Sequence, residues 1–196
     1  MPISKGSPYG APGRLPEGGV VCRSDVEARA ALERARHERR PFPPLGLTGG
    51  DLARTLGGRG ALEVTFPVDV GEVLLDGRLH LFVAHLVART PAWSTVFVAM
   101  NAQWLGSWNL GPRAHPNDGL LDTYDARHLS VADRLKIRSR LRHGTHLPHP
   151  AVRERRAPAT EVDWRRPIAI YLDGGPVGRA RTVVVRARPD ALTVVV

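Results

Sequence analysis

The chain has a single cysteine, Cys22, so it has no internal disulfide and no metal site built from cysteines. No apolar run approaches the roughly 20 residues that a membrane-spanning helix needs. The first 19 residues contain Lys5 and Arg14 but no apolar segment, so they do not read as a signal peptide. The expectation is an intracellular, cytoplasmic protein, with room for peripheral attachment at the inner membrane face. Lysine is nearly missing too: Lys5 and Lys136 are the only two, and arginine carries almost all of the positive charge. Acidic residues are outnumbered, 19 against 28 Lys+Arg, which leaves a net charge of +9.

What is present is enough for one globular domain with a small appendage. Hydrophobic residues make up 42% of the 196, an ordinary globular share. Twenty Gly and 17 Pro imply many turns and argue against a helical bundle or coiled coil. The basic balance points to an anionic partner: nucleic acid, a phosphate-bearing substrate or an anionic membrane surface. A GC-rich coding bias, which favours Arg, Ala, Gly and Pro, accounts for the same excess.

Along the chain, residues 1–19 read as a flexible lead-in rich in Pro, Gly and Ser. Gly19-Val20-Val21-Cys22 reads as a short strand. Ser24 and Glu27 have capping-box spacing and open a helix that Pro41 must end. Pro44-Leu45-Gly46-Leu47 is extended, and Thr48-Gly49-Gly50-Asp51 turns into a short helix closed by Gly57-Gly58. Residues 20–60 thus form a small α/β unit.

Past Gly60 the texture becomes β. Strands flank the hairpin turn Asp76-Gly77, with Arg78 to Ala88 reading as one strand after it. Further strands are Ser94 to Met100, Leu120 to Tyr124, Pro167 to Leu172, Val177 to Ala187 and Ala191 to Val196. Short strands punctuated by turns imply an antiparallel sandwich or barrel over residues 61–196. The fold class is therefore mainly β, with a small N-terminal α/β unit. One helix interrupts it: Ser130 and Asp133 form a capping box, and Val131, Leu135 and Leu141 are the residues expected to face the core. Its Arg134, Lys136, Arg138, Arg140 and Arg142 make a solvated face, or a contact for anionic headgroups or phosphates.

Candidate chemistry is sparse. His143, His146 and His149 invite a zinc reading, but Gly144 and Pro148 break the helix that would align them, and ordinary loop histidines fit better. The glycines of Thr48-Gly49-Gly50-Asp51 before a helix offer amides to a phosphate. Asp118, in Asn117-Asp118-Gly119, is either a turn residue or a carboxylate for a hard cation.

Together these pieces resemble the diacylglycerol kinase-like lipid kinases, which include sphingosine kinases and YegS-type enzymes. Asn101-Ala102-Gln103-Trp104-Leu105-Gly106 and Ala114-His115-Pro116-Asn117-Asp118-Gly119-Leu120-Leu121-Asp122 are similar to the family's "N-G-x-x-x-G…P-x-A-x-x-D-D-G-L-L-D" segment. Pro44-Leu45-Gly46-Leu47-Thr48-Gly49-Gly50-Asp51-Leu52-Ala53-Arg54 resembles its "P-x-G-T-G-N-D-x-A-R", and Leu172-Asp173-Gly174 its "L-D-G-E". Several short motifs in one order are more specific than any alone. The resemblance implies an ATP-binding α/β domain followed by a β-sandwich, and Mg²⁺-assisted transfer of the ATP γ-phosphoryl group to a lipid hydroxyl. For this chain it makes the fold class an antiparallel β-sandwich with a small N-terminal α/β remnant. It carries Asp118, with the backbone carbonyls of His115 and Leu120, onto a structural Mg²⁺ site. It carries Thr48, Gly49, Gly50 and Asp51 onto nucleotide contacts.

The departures are specific. The family's "G-G-D-G-T" phosphate loop finds no match, Gly50 replaces Asn, and Gly175 stands where the family has its general-base Glu. Glycine accepts no proton. Asp173, two residues away, is the substitute candidate. The expectation is a catalytically impaired lipid kinase-like protein that binds a lipid, nucleotide or protein partner, or forms a homodimer. The alternatives are an active ATP-dependent kinase completed by another chain and a basic nucleic-acid module. The last is disfavoured, because the basic region 126–156 lacks interleaved aromatics.

Overall fold

The computed structural model describes residues 9–196; residues 1–8 of the lead-in lie outside the described residues. From Tyr9 onward the chain is fastened to the sheet. Tyr9 packs on Phe66 with ring centroids 5.0 Å apart, and its hydroxyl donates to the Pro67 carbonyl at 2.9 Å. Strand β1 (Ala11–Pro12) pairs with Thr65 and Val64. Next come β2 (Val20–Cys22) and helix α1 (Asp25–His37). The Ser24 hydroxyl accepts from the Glu27 amide, while the Glu27 carboxylate reaches back to the amide of Arg23. The helix stops ahead of Pro41 and buries Ala28, Ala31, Leu32 and Ala35. Strand β3 (Leu45–Leu47) lies parallel to β2, and the glycine turn leads into the five-residue helix α2 (Asp51–Thr55).

Beyond Gly60 strands dominate. β4 (Val64–Leu75) turns at Asp76 (φ 47°) and Gly77 (φ 83°) into β5 (Arg78–Phe82). Positive φ at both central residues is what a twist-matched two-residue hairpin demands. The single strand expected over 78–88 is interrupted at Val83-Ala84, because the amides of Val83, Ala84 and His85 turn toward the Asp173 carboxylate. β6 (His85–Arg89), β7 (Val96–Met100), the small hairpin β8 (Trp104–Leu105) and β9 (Trp108–Asn109), and β10 (Leu121–Ala126) follow. Helix α3 (Val131–Leu141) separates β10 from β11 (Val152–Ala157), β12 (Ala159–Leu172) and the long β13 (Gly175–Val195). The gap expected between Ala187 and Ala191 is instead a register shift within β13. β11 and the start of β12 escape the sequence reading because Val-Arg-Glu-Arg-Arg-Ala lacks apolar alternation; such charge suits a sheet edge, and β11 lies at one end of the strand order.

The strands form an antiparallel sheet in the order β1-β4-β13-β12-β6-β7-β10-β11, with β5 also on β4. It curls into an open, sandwich-like, mainly β architecture. β3 joins the end of β13 in parallel, so the N-terminal segment shares this sheet. Its core joins Leu32, Leu45, Leu47 and Leu52 to Val68 and Val194. A second core packs Phe82, Leu86, Phe97, Ile170, Leu172 and Val183. Each such side chain contributes about 1.5–3 kcal/mol by leaving water. A third, smaller cluster lies under α3 and contains Val98, Met100, Leu110, Tyr124 and Leu141. Of the α3 residues expected to face inward, Leu141 is buried, but Val131 (63% exposed) and Leu135 (64%) point to solvent. The inward stripe is Arg134, Ile137, Arg138 and Leu141, spaced three and four apart.

Candidate functional site

Two concavities flank the β8–β9 hairpin, and Leu105 and Trp108 line both. On one side is an open polar cleft of about 390 Å³ lined by Asp51, His85, Ser107, Asp173 and Gly174. On the other is an apolar cavity of about 250 Å³ beneath α3. The hairpin is held from α2. The Asp51 carboxylate accepts from the Gly106 amide (2.9 and 3.0 Å), Arg54 donates to the Gly106 carbonyl at 2.8 Å, and its guanidinium lies 3.5 Å from the centroid of the Trp104 ring.

The glycine turn is closed by a carboxylate that sequence reasoning missed. Thr48 donates its amide and hydroxyl to the Cys22 carbonyl. The amides of Asp51 and Leu52, at the start of α2, both donate to buried Asp25 (2.5 and 3.2 Å). Gly50 has φ 103° and ψ 171°, and a Cβ there would stand 2.5 Å from an Asp25 carboxylate oxygen. Glycine at 50 and aspartate at 25 therefore go together. The two N-terminal amides of α2 that a phosphate would seek already hold an anion.

His85 is 2% exposed and its Nε2 lies 3.0 Å from Asp51 Oδ2. Burial pulls its pKa down, but the Asp51 hydrogen bond and the charges of Asp173, Asp51 and Asp25 outweigh it, so His85 holds its proton above the usual range. Burial pushes Asp51 up, yet His85, the Gly106 amide and Arg54 bring it below the ordinary carboxylate value. Burial, then the nearby charge of Asp173, pushes Asp25 to about 6.

Asp173 is a fastening point of the fold. Its side chain has no exposure, and its oxygens accept from the amides of Val83 (3.0 Å), Ala84 (2.8 Å) and His85 (3.2 Å). Burial raises its pKa against the pull of His85 and these amides. Arg29 Nε lies 3.9 Å from Asp173 Oδ2, and the other end of Arg29 lies 3.0 Å from where a Cβ of residue 175 would stand. Arginine from α1 thus fills the space that a side chain at Gly175 would enter. His85, Asp25 and Arg29 had no motif to betray them; only the fold brings them beside Asp173 and Asp51.

Asp118 lies apart, in the turn before β10. Its Oδ1 accepts from the Leu120 amide at 2.9 Å and its Oδ2 pairs with the Arg156 guanidinium of β11. Arg156 Nε is also 3.9 Å from buried Asp122. Asp69 joins from β4, accepting from the amides of Gly119 (2.7 Å) and Asp190 (2.9 Å). Burial is the main reason that Asp69 and Asp122 are each raised to about 6. A hard cation wants several converging oxygens. Here Arg156 supplies the positive charge and both Asp118 oxygens are engaged, so these residues as folded do not fit an Mg²⁺ ion. The His115 ring accepts from the Asn117 amide and packs on Tyr9. The three loop histidines do not converge either: His143 is exposed, His146 and His149 are buried, and among the described residues no group of three or more His, Cys, Asp or Glu could hold a metal.

The apolar cavity lies between β7, β10, the hairpin and α3, with Val98, Leu110, Trp93, Trp108, Ile137 and Leu141 on its wall. The sequence signals that could have found it are the tryptophans at 93 and 108, outside any periodic segment. Arg138 lies over the Trp108 ring, 5.8 Å from its centroid. No helix of the described residues is long and apolar enough to cross a membrane.

Known proteins share this architecture. The sequence profile of the YegS C-terminal NAD kinase beta sandwich-like domain matches residues 65–196. No curated protein matches the chain. Solved structures bearing the name diacylglycerol kinase, from Bacillus anthracis strain Sterne, have the same fold. One, whose name is provisional, has TM-score 0.64 at 16% identity, with 90% of this chain and 76% of that one covered. A second, also provisionally named, has TM-score 0.59 at 12% identity, covering 79% and 69%. A third has TM-score 0.54 at 14% identity, covering 79% and 67%. Over its strand-rich part, and for two thirds of its length, this chain belongs to the YegS C-terminal, NAD kinase-like beta-sandwich domain family.

Proposed function

We propose that this chain is a lipid kinase-like domain that binds the hydrocarbon chain of a lipid at an anionic membrane surface without transferring phosphate. The carrying observation is the apolar cavity of about 250 Å³ beneath α3, separated from a polar cleft only by the β8–β9 hairpin. It is larger than the roughly 150 Å³ apolar cavity that takes up benzene. Its roof is basic, with Arg134 and Arg138 on the lining and Lys136, Arg140 and Arg142 beside them. The exposed Val131 and Leu135 give the same helix two apolar contacts for a bilayer. The names carried by the structural neighbours, diacylglycerol kinases, support a lipid as the ligand.

Three features support the loss of phosphoryl transfer, which rests on positioning and on charge around the nucleotide. Asp25 occupies the α2 amides, Arg156 occupies Asp118, and Gly175 offers no base while Asp173 is bound to three amides. The His85–Asp51 pair in the cleft is the one arrangement that favours the active-kinase reading.

Co-sedimentation with phosphatidylcholine vesicles, with and without phosphatidylglycerol, tests the binding. The expected result is binding only to the anionic vesicles, lost in Val131→Asp/Leu135→Asp. Binding to DNA but not to vesicles would overturn it. Radiolabelled ATP with diacylglycerol tests the chemistry: no labelled lipid is expected. Labelled lipid that disappears in His85→Ala would restore the kinase reading.

A further inference from the structure

The apolar cavity has two polar groups on its wall that nothing in the protein satisfies. The Tyr124 hydroxyl and both ring nitrogens of His146 are buried and have no hydrogen-bond partner among the described residues. Both residues line the cavity, at 6% and 4% exposure, and their rings meet edge to face with centroids 6.0 Å apart. The Leu110 backbone pulls the His146 pKa up against burial, but makes no hydrogen bond to either ring nitrogen. An orphaned buried polar group costs about 1–3 kcal/mol. Two of them facing the same space are the complement of a ligand group that is both donor and acceptor.

We infer that Tyr124 and His146 form a polar anchor inside the cavity, and that its ligand is a lipid chain bearing an uncharged hydroxyl at that depth. This rests on the lipid-chain reading of the cavity and names the class of chain. Burial, together with the charges of Asp122 and Glu154, holds the Tyr124 phenol protonated, so it donates. Burial holds His146 below the ordinary histidine range, so the ring is neutral, with one donor and one acceptor nitrogen. The neutral ring itself gives no counter-charge for a carboxylate; the cations on the α3 side that would give one are Arg134, which donates to the Ser130 and Ala92 carbonyls, and Arg138, which is exposed. The same two cations disfavour an amine. A hydroxyl engages both residues at once, accepting from Tyr124 and donating to the unprotonated nitrogen of His146.

Octanol, octanoate and 1-octene serve as probes, read by the fluorescence of Trp93 and Trp108 on the cavity wall. Native protein is expected to bind octanol at least tenfold tighter than octene, the equivalent of about 1.4 kcal/mol or one net hydrogen bond. In Tyr124→Phe the ratio falls below threefold while octene affinity stays constant. Equal affinity for octanol and octene in native protein, an unchanged ratio in Tyr124→Phe, or tightest binding of octanoate each overturns the anchor. Failure of all three probes overturns the lipid-chain reading itself, which separates the two claims. A melting measurement guards the fold. Tyr124→Phe removes an orphan and is expected to melt at or above the native temperature. A fall of several degrees would show that the hydroxyl is satisfied in the free protein and would overturn the proposal.

Discussion

Replacing Asp173 by alanine probes the fold where it meets the cleft. The carboxylate closes the break between β5 and β6 by accepting from three consecutive residues, Val83, Ala84 and His85. The Asp173 amide in turn donates to the His85 carbonyl at 2.9 Å, so the β12–β13 turn and the β5–β6 break clasp each other. Alanine leaves three amides without acceptors in a site where Val83 and Ala84 have no exposure. Each orphan costs about 1–3 kcal/mol, and Arg29 also loses its partner. Removing a buried carboxylate recovers part of its desolvation cost, which brings the net loss to about 3–5 kcal/mol. Asn does not repair it, since it offers one acceptor oxygen and turns an NH₂ toward the remaining amides. Urea unfolding followed by circular dichroism gives the number. A loss below about 1 kcal/mol in Asp173→Ala would refute the assignment of this carboxylate to holding the backbone.

Other substitutions read the remaining departures from the family pattern. Gly50→Asn, which restores the family residue, is expected to lower stability by about 2–4 kcal/mol in urea, since φ 103° with ψ 171° is essentially glycine-only space and the new Cβ meets Asp25. Arg156→Ala frees Asp118 beside Asp122, so Mg²⁺ or Ca²⁺ at a tenfold excess over its Kd should stabilise the variant by about 1.4 kcal/mol. Native protein should melt at the same temperature with the ion or with a chelator. For pH, Asp122 titrates near 6 in the fold and near 3.9 unfolded, so the native state holds its proton longer and loses stability from this group as pH rises from about 4 to about 6. Asp122→Asn should therefore gain on the native protein between pH 4 and pH 7, and a flat difference across that range would contradict the burial argument.

The parts of this fold that were legible in the sequence are those where local chemistry and the final structure agree. Ser24 and Ser130 begin helices because their side chains cap free amides, and Asp76-Gly77 makes a hairpin because its backbone needs positive φ. Both signals are local, although Asp76 also accepts from the distant amides of Arg181 and Thr182. Tertiary partners decide the rest. β11 is a strand only because β10 lends it a ladder from Leu121 to Ala126. Val131 and Leu135 face out because Ile137 and Leu141 meet the sheet first. Motifs single out Thr48, Gly50, Asp118 and Asp173 in the sequence. They miss Asp25, Arg29, His85 and Arg156, because each acts through a neighbour 26 or more residues away. The Tyr124–His146 pair was equally hidden, one residue lying in a plain strand and the other in a loop of histidines.

A lipid chain held in the cavity beneath α3 can be weighed directly. Ala126 lies on its wall, buried at 5% exposure, and phenylalanine there would put a ring into the space without touching the polar cleft. The direct measurement is mass spectrometry of lipid retained by native protein and by Ala126→Phe after incubation with anionic vesicles and gel filtration. Stoichiometric lipid is expected on the native chain and at least a tenfold reduction in the variant, with vesicle docking through α3 preserved in both. Equal lipid on both proteins, or none on the native chain, would contradict lipid binding in the cavity.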